Sequence, residues 1–181
     1  NQIWQIDHTP LDIFLLNEKE ESQKPWLTIV QDDYSRAISG YFLSFDHPSA
    51  VNTALALRQA IWRKSNPNWQ VCGIPESLYS DNGSDFLSEH IEKVCATLKI
   101  RTINSIPGRP QGKGKVERVF LTMLQSLLER HAGFAPSGKA KGSLTLAEFQ
   151  ILLEAFIVFT LISTITYRLF LNGNRSNHFT Q

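Results

Sequence analysis

The chain has 181 residues, of which 42% are hydrophobic and 19% charged, with a formal net charge of +1. That length buries a core without disulfides or a structural metal, and that balance excludes disordered, collagen-like and cysteine-stapled classes. Near-neutral charge decides nothing about a polyanionic partner, because phosphate binding depends on where the cations sit.

Residues 3–7, 26–32 and 37–45 are rich in Ile, Val, Tyr, Phe and Trp and read as three strands. Asp33-Tyr34-Ser35-Arg36 is a tight connection, so the second and third are expected to pair as an antiparallel hairpin. Residues 17–24, with Glu18, Lys19, Glu20, Glu21 and Ser22, read as a solvated loop. Pro48 and Ser49 open a helix through residue 64, in which Val51, Leu55 and Ile61 or Trp62 recur near helical spacing; Asn66-Pro67-Asn68 ends it. Residues 77–80 form a short strand stopped by Asp81-Asn82-Gly83. Ser84 or Asp85 is then expected to cap a helix carrying Phe86, Ile91, Val94 and Leu98. Residues 100–106 alternate as a strand, Pro107-Gly108-Arg109-Pro110 breaks the chain, and a helix follows with Val116, Phe120, Leu124 and Leu127 on one stripe. A Gly/Ala/Lys/Ser-rich stretch then reads as an exposed linker, and a last helix is expected over 146–165.

This order predicts an α/β fold, a mixed sheet flanked by helices. The expected organisation is a core over 1–132, a linker over 133–143, and a C-terminal helical extension of the same domain over 144–181. The missing initiating Met suggests a piece of something longer. No signal-peptide pattern follows Asn1, which favours a reducing, cytoplasmic setting.

Several other site chemistries find no support. Cys72 and Cys95 have 22 residues between them, neither a CxxC pair nor a zinc-ribbon spacing, and read as buried free thiols. His8, His47, His90, His131 and His178 form no HxxxH or HExxH pattern, so a histidine zinc site has no basis. The glycosylation sequons at Asn82 and Asn174 are too short a pattern to weigh. Between Glu154 and Arg168 lie only 13 uncharged residues, short of the roughly 20 apolar residues a bilayer span needs. A buried helix is expected there, and no membrane partner.

Phosphodiester cleavage without a covalent enzyme intermediate needs an activated oxygen nucleophile and neutralisation of phosphate charge. Two divalent ions do both, and hard Mg²⁺ or Mn²⁺ selects carboxylate oxygen from acids converging from separate elements. Asp7 closes the first strand, Asp81 lies just past the fourth, and Glu117 falls on the helix after the Pro-Gly break. Taken singly, Asp7 also reads as a strand-end residue, Asp81 as turn chemistry and Glu117 as an i,i+4 partner of Lys113.

Four blocks add specificity: Trp4-Gln5-Ile6-Asp7-His8-Thr9, Asp32-Asp33-Tyr34-Ser35-Arg36, Ser80-Asp81-Asn82-Gly83-Ser84-Asp85-Phe86, and Pro110-Gln111-Gly112-Lys113-Gly114-Lys115-Val116-Glu117-Arg118. Asp81 and Glu117 are separated by 35 residues. In content, order and spacing these blocks resemble the catalytic core of the retroviral-integrase superfamily, with its D,D-35-E triad, closest to Mu-type bacterial transposases. The resemblance covers roughly residues 3–131. It implies a ribonuclease-H-like fold, with Asp7, Asp81 and Glu117 as catalytic metal ligands for two Mg²⁺ or Mn²⁺ ions. It also implies DNA partners, both element ends and target, a homo-multimer as the active form, and a cytoplasmic bacterial protein associated with the nucleoid when DNA-bound. In the implied mechanism, water nicks an element end to expose a 3′-hydroxyl, which then attacks target DNA at the same site. Asp32 and Asp33 belong to the hairpin block, and Asp12 and Asp85 read as turn or cap residues. Near the C-terminus, Tyr167-Arg168-Leu169-Phe170 departs from the Tyr-Asn and Pro-His pattern of related transposases.

From Lys99 to Arg118 the cations Lys99, Arg101, Arg109, Lys113, Lys115 and Arg118 face the single acid Glu117. Gly108, Gly112 and Gly114 permit close approach of backbone to phosphate, so Arg109, Lys113, Lys115 and Arg118 are the expected DNA contacts. Two alternatives stand beside strand transfer: a ribonuclease-H-like nuclease that only hydrolyses, and a non-catalytic integrase-like DNA-binding module.

Overall fold

A computed structural model of the chain describes residues 2–80, 88–104, 124–125 and 127–176, with side chains in the last stretch described to residue 160 and at 162. Strand β1 (Ile3–Pro10) sits at the centre of a five-stranded sheet. It pairs antiparallel with β4 (Trp26–Asp32), which pairs antiparallel with the edge strand β5 (Ile38–Ser44). On its other side β1 pairs parallel with β6 (Ser77–Ser80), and β6 pairs parallel with β7 (Arg101–Asn104). The order is therefore β5-β4-β1-β6-β7, a mixed sheet, as expected.

Period-two alternation divides the apolar residues between two faces. Trp4, Ile6, Val30 and Leu78 point to one face, where α1 (Ala50–Ile61) supplies Ala56, Leu57 and Ala60, and α2 (Glu89–Thr97) supplies Ile91 and Cys95. Leu27, Ile29 and Leu43 point to the other. There they meet Leu124 and Leu128 and, from α3 (Leu146–Ser176), Phe149, Leu153 and Ile157. Cys95 is buried and Cys72 half-buried, both as free thiols, and burial pushes the Cys95 thiol pKa up.

Local chemistry fixes the helix ends. Ser49 caps α1 by accepting from the Asn52 N–H. The expected cap at Ser84 or Asp85 gives way to Ser88, whose Oγ accepts from Ile91 N–H; Ser84, Asp85 and Phe86 lie outside the described residues. Thr145 and Glu148 form a reciprocal capping box at the start of α3, and the two hydrogen bonds from Thr145 hold the Glu148 carboxyl below its ordinary pKa.

Two loops differ from expectation. Residues 17–24 are not a plain loop: β2 (Leu15–Leu16) and β3 (Ser22–Gln23) pair around an exposed tip in which Asn17 Oδ1 accepts from the Lys19 and Glu21 amides. The glycine-rich segment after residue 132 is exposed only in its middle. Gly133 accepts from Phe14 N–H, and Gly142 donates to Ser22 Oγ, which ties both ends to the β2–β3 ribbon. The last helix runs past residue 165, through Ser176. No described helix is long and apolar enough to cross a membrane.

Where α1 crosses β5, a Cβ on Gly40 would lie 2.5 Å from Ala60 N and 2.7 Å from Ala56 O, both rigid backbone atoms. Gly40→Ala is therefore expected to cost roughly 1–3 kcal/mol, lowering Tm by about 2–12 °C. An unchanged melt by circular dichroism would contradict this packing.

Lys64, just past α1, donates to Ala60 O at 3.1 Å and to Val71 O, and burial lowers its pKa to about 8 from 10.5. Below pH 8 the folded state bears the cost of a charged, partly desolvated amine. Between 8 and 10.5 the unfolded chain binds more protons than the folded one, so this contribution turns more favourable as pH rises. Denaturant unfolding should therefore show wild type gaining stability relative to Lys64→Met across that window. A constant difference would refute the shift.

Candidate active site

Asp7 lies in the second half of β1, opposite Ile29 of β4. Alternation decides its environment: Trp4 and Ile6 are fully buried towards α1 and α2, so Gln5 and Asp7 fall on the opposite face, both half-buried. The ladder with β4 on one side, and with β6 two residues earlier on the other, gives a carboxylate there a fixed origin. The parallel register with β6 sets Ile3 beside Ser77, Trp4 beside Leu78 and Gln5 beside Tyr79. β6 ends at Ser80.

Asp81 and Glu117 lie outside the described residues, as do Arg109, Lys113, Lys115 and Arg118. Of the expected triad, the structure describes Asp7 alone; of the wider basic segment it describes Lys99 and Arg101, both exposed. Lys99 occupies the left-handed position after α2 at φ 59, while Ile100 N–H returns to Cys95 O at 2.8 Å. That arrangement is a Schellman-type helix end. Arg101 Nε donates to Ser77 Oγ at 3.3 Å. Among the described residues, no three His, Cys, Asp or Glu side chains are grouped to hold a metal ion.

Helical residues Leu124, Gln125 and Leu128 approach the end of β1, enclosing a cavity of about 180 Å³ with Thr9, Pro10, Leu11 and Asp12. The helical residues Leu124, Gln125 and Leu128 thus lie against the end of the strand that carries Asp7. Asp32 and Asp33 behave as the hairpin reading requires, whereas Asp12, expected in a turn or cap, is held in an ion pair and Asp85 lies outside the described residues. Asp32 is buried, and its Oδ2 accepts from the amide and hydroxyl of Ser35 at 2.7 and 2.6 Å. Asp33 accepts from Arg36 and Gln5, and Asp12 pairs with Lys24.

Two arrangements had no clear sequence signal. His8 points to the α1 face, with Nδ1 2.8 Å from Thr28 Oγ1 and Nε2 3.4 Å from Thr53 Oγ1. It ties the strand half holding Asp7 to β4 and to the first turn of α1. At the far end of α1, a cleft of about 360 Å³ gathers Arg58, Trp62, Arg63, Lys64, Trp69 and Glu154. A charge scan over residues 47–75 finds three Lys or Arg and no Asp or Glu, the one sequence trace of it.

Comparison with known proteins gives this geometry its context. The family described as TnsB C-terminal domain matches residues 5–133. The transposase for transposon Tn552 of Staphylococcus aureus is 52% identical over 159 residues, covering 87% of this chain and 33% of that protein. The Tn7 transposition protein TnsB of Escherichia coli is 27% identical over 179 residues, covering 85% of this chain and 25% of that protein. The chain thus spans about a third and a quarter of these relatives. Among solved structures, the simian T-cell lymphotropic virus intasome in complex with PP2A regulatory subunit B56 gamma gives a TM-score of 0.54 at 22% identity, over 72% of this chain and 40% of that one. The HTLV-2 integrase catalytic core domain in complex with magnesium, in its dimeric form, gives 0.50 at 21%, over 72% and 70%. At such identities these structures establish the fold, the ribonuclease-H-like sheet of integrase cores. The Mu-type branch remains an expectation from the motifs. The chain belongs to the TnsB C-terminal domain family, within the transposase and retroviral-integrase superfamily.

Proposed function

We propose that the chain is the catalytic core of a bacterial DNA transposase, a polynucleotidyl transferase that cleaves a phosphodiester at an element end and joins the exposed 3′-hydroxyl to target DNA. The observation that carries this reading is the parallel register of β1 and β6. Gln5 stands beside Tyr79, and Asp7 and Asp81 are each two residues further along the chain. Continued register would set the two carboxylates side by side on neighbouring strands. Glu117 is seven residues before Leu124, about two helical turns, and the cavity between Leu124 and β1 supports its approach to the same sheet end.

The donor set fits a hard divalent cation, since all three side chains offer only carboxylate oxygen. Bound there, Mg²⁺ or Mn²⁺ would lower the pKa of the attacking water or hydroxyl and neutralise charge on the phosphate. The chain's own work is to fix three anionic oxygens on separate elements. Arg109, Lys113, Lys115 and Arg118 would hold the phosphate backbone, positioning DNA without reading its sequence. In this reading residues 1–132 are the catalytic core and 133–143 a linker. Residues 144–181 belong to the same domain, because Phe149, Leu153 and Ile157 are buried in its core. The intact protein works as a homo-multimer on element ends and target DNA in the bacterial cytoplasm.

Asp7→Asn, Asp81→Asn and Glu117→Gln in the intact protein should each reduce both cleavage and joining by roughly 100-fold or more, beyond the usual cost of losing a mere supporting partner of a ligand. Tm should stay within about 3 °C of the parent. Joining within about tenfold of the parent, or a collapse of Tm that accounts for the loss, would remove that residue from the site.

A strand-transfer assay with labelled element ends and Mg²⁺ separates the proposed activity from its alternatives. The expected product is end DNA covalently joined to target. Nicked DNA with no joined product would identify a hydrolase, and retention of DNA with neither product a binding module.

A further inference from the structure

The cleft at the far end of α1 is unused by the proposed triad. It lies at the edge of the sheet formed by β5, where Tyr41 N–H donates to Gln59 Oε1 and Tyr41 OH donates to Glu154 Oε1 at 2.8 Å. Among the described residues of its lining Glu154 is the sole acid, against Arg58, Arg63 and Lys64. The Arg58 guanidinium lies 4.4 Å from the centroid of the Trp62 ring, and Trp62 is 60% exposed. Below it the Lys64 ammonium lies 5.1 Å from the centroid of Trp69, whose ring stacks on Tyr41 at an interplanar angle of 8°. Trp69 is itself fixed by donating Nε1–H to Ile38 O at 2.8 Å.

We infer that this cleft is a second nucleic-acid contact, in which a base stacks on Trp62 while Arg58 and Arg63 meet the adjoining phosphates. The charge balance selects a polyanion, and it argues against a cation or a neutral ligand. An exposed indole with one face braced by a guanidinium is the platform that single-strand binders use, because every base has a π-face. An acidic peptide would employ the cations and leave the indole idle. Position adds a constraint. α1 starts beside β1, where Thr53 meets His8, and reaches Trp62 at its other end, where Gly73 N–H bonds Ile61 O. Its 12 residues separate the two ends by roughly 18 Å, about five nucleotide steps at duplex rise. The strand held here is therefore flanking DNA, splayed or unpaired at the point of contact, and not the reacting phosphodiester. The inference rests on the proposed function only in taking DNA as the substrate.

The test is photo-cross-linking of the intact protein to an end-bearing oligonucleotide with 5-iododeoxyuridine in its flank, in Mg²⁺-free buffer. Trypsin cuts after Arg58 and Arg63, so Trp62 is recovered in the peptide 59–63. The expected result is an adduct on that peptide, lost in Trp62→Leu and lowered about fivefold by added salt or in Arg58→Gln, in which loss of the cleavage site moves Trp62 to the peptide 37–63. The adduct should persist in Asp7→Asn, so failure of the triad and failure of this contact are distinguishable. Adducts confined to peptides that lack Trp62, or insensitive to Arg58→Gln, would overturn the inference. So would displacement by oligoglutamate as efficient as by unlabelled DNA, which would mark a site for acidic peptides. Sedimentation showing that Trp62→Leu dissociates a dimer, with no adduct formed, would assign the face to a second copy of the chain.

Discussion

β1 is hydrogen-bonded along both edges, antiparallel to β4 and parallel to β6. A strand held on two sides has no register freedom, and a slip of one residue would exchange its buried and half-buried faces. Trp4 and Ile6 enforce the register from one face, because both are fully buried against α1 and α2. Asp7 inherits its position from theirs. The other elements act on the same strand: His8 links it to Thr28 and Thr53, and Leu124 and Leu128 close over its end.

This arrangement explains how one sheet serves both stability and chemistry. The two apolar faces are covered by helices on either side, and Gly40 lets α1 approach β5 at backbone contact distance. Polar groups concentrate at the connections and along one line of β1. Asp32 is consumed in its hairpin through Ser35, which leaves Asp7 as the acid of that region carried by a central strand.

Much of this was legible in the sequence. β4 and β6 fall on their expected residues, β4 because its apolar run ends at Asp33 in the hairpin turn and β6 because it stops at Ser80. α3 begins where its Thr145-x-x-Glu148 signature puts it. β1 runs three residues past the expected Asp7, since pairing with β4 carries His8, Thr9 and Pro10 into the ladder despite weak strand propensity. The start of α2 differs from expectation because Ser84, Asp85 and Ser88 are all competent caps in sequence, and it is Ser88 that accepts from the Ile91 amide. The length of α3 was missed because the Thr- and Asn-containing stretch after 165 has poor intrinsic propensity. The cleft at Trp62 was invisible because Tyr41, Trp62 and Glu154 are distant in sequence and meet only through the fold.

The central claim is that Asp7, on β1, and Asp81, which follows β6 in sequence, share a divalent cation. A crystal structure of the chain soaked with Mn²⁺, with anomalous data collected at the manganese edge, tests it most directly. The account predicts an anomalous peak within about 2.2 Å of a carboxylate oxygen from both Asp7 and Asp81, and its loss in Asp7→Asn. Manganese bound elsewhere while Asp7 makes no contact with it, in a crystal where both carboxylates are ordered, would contradict the account.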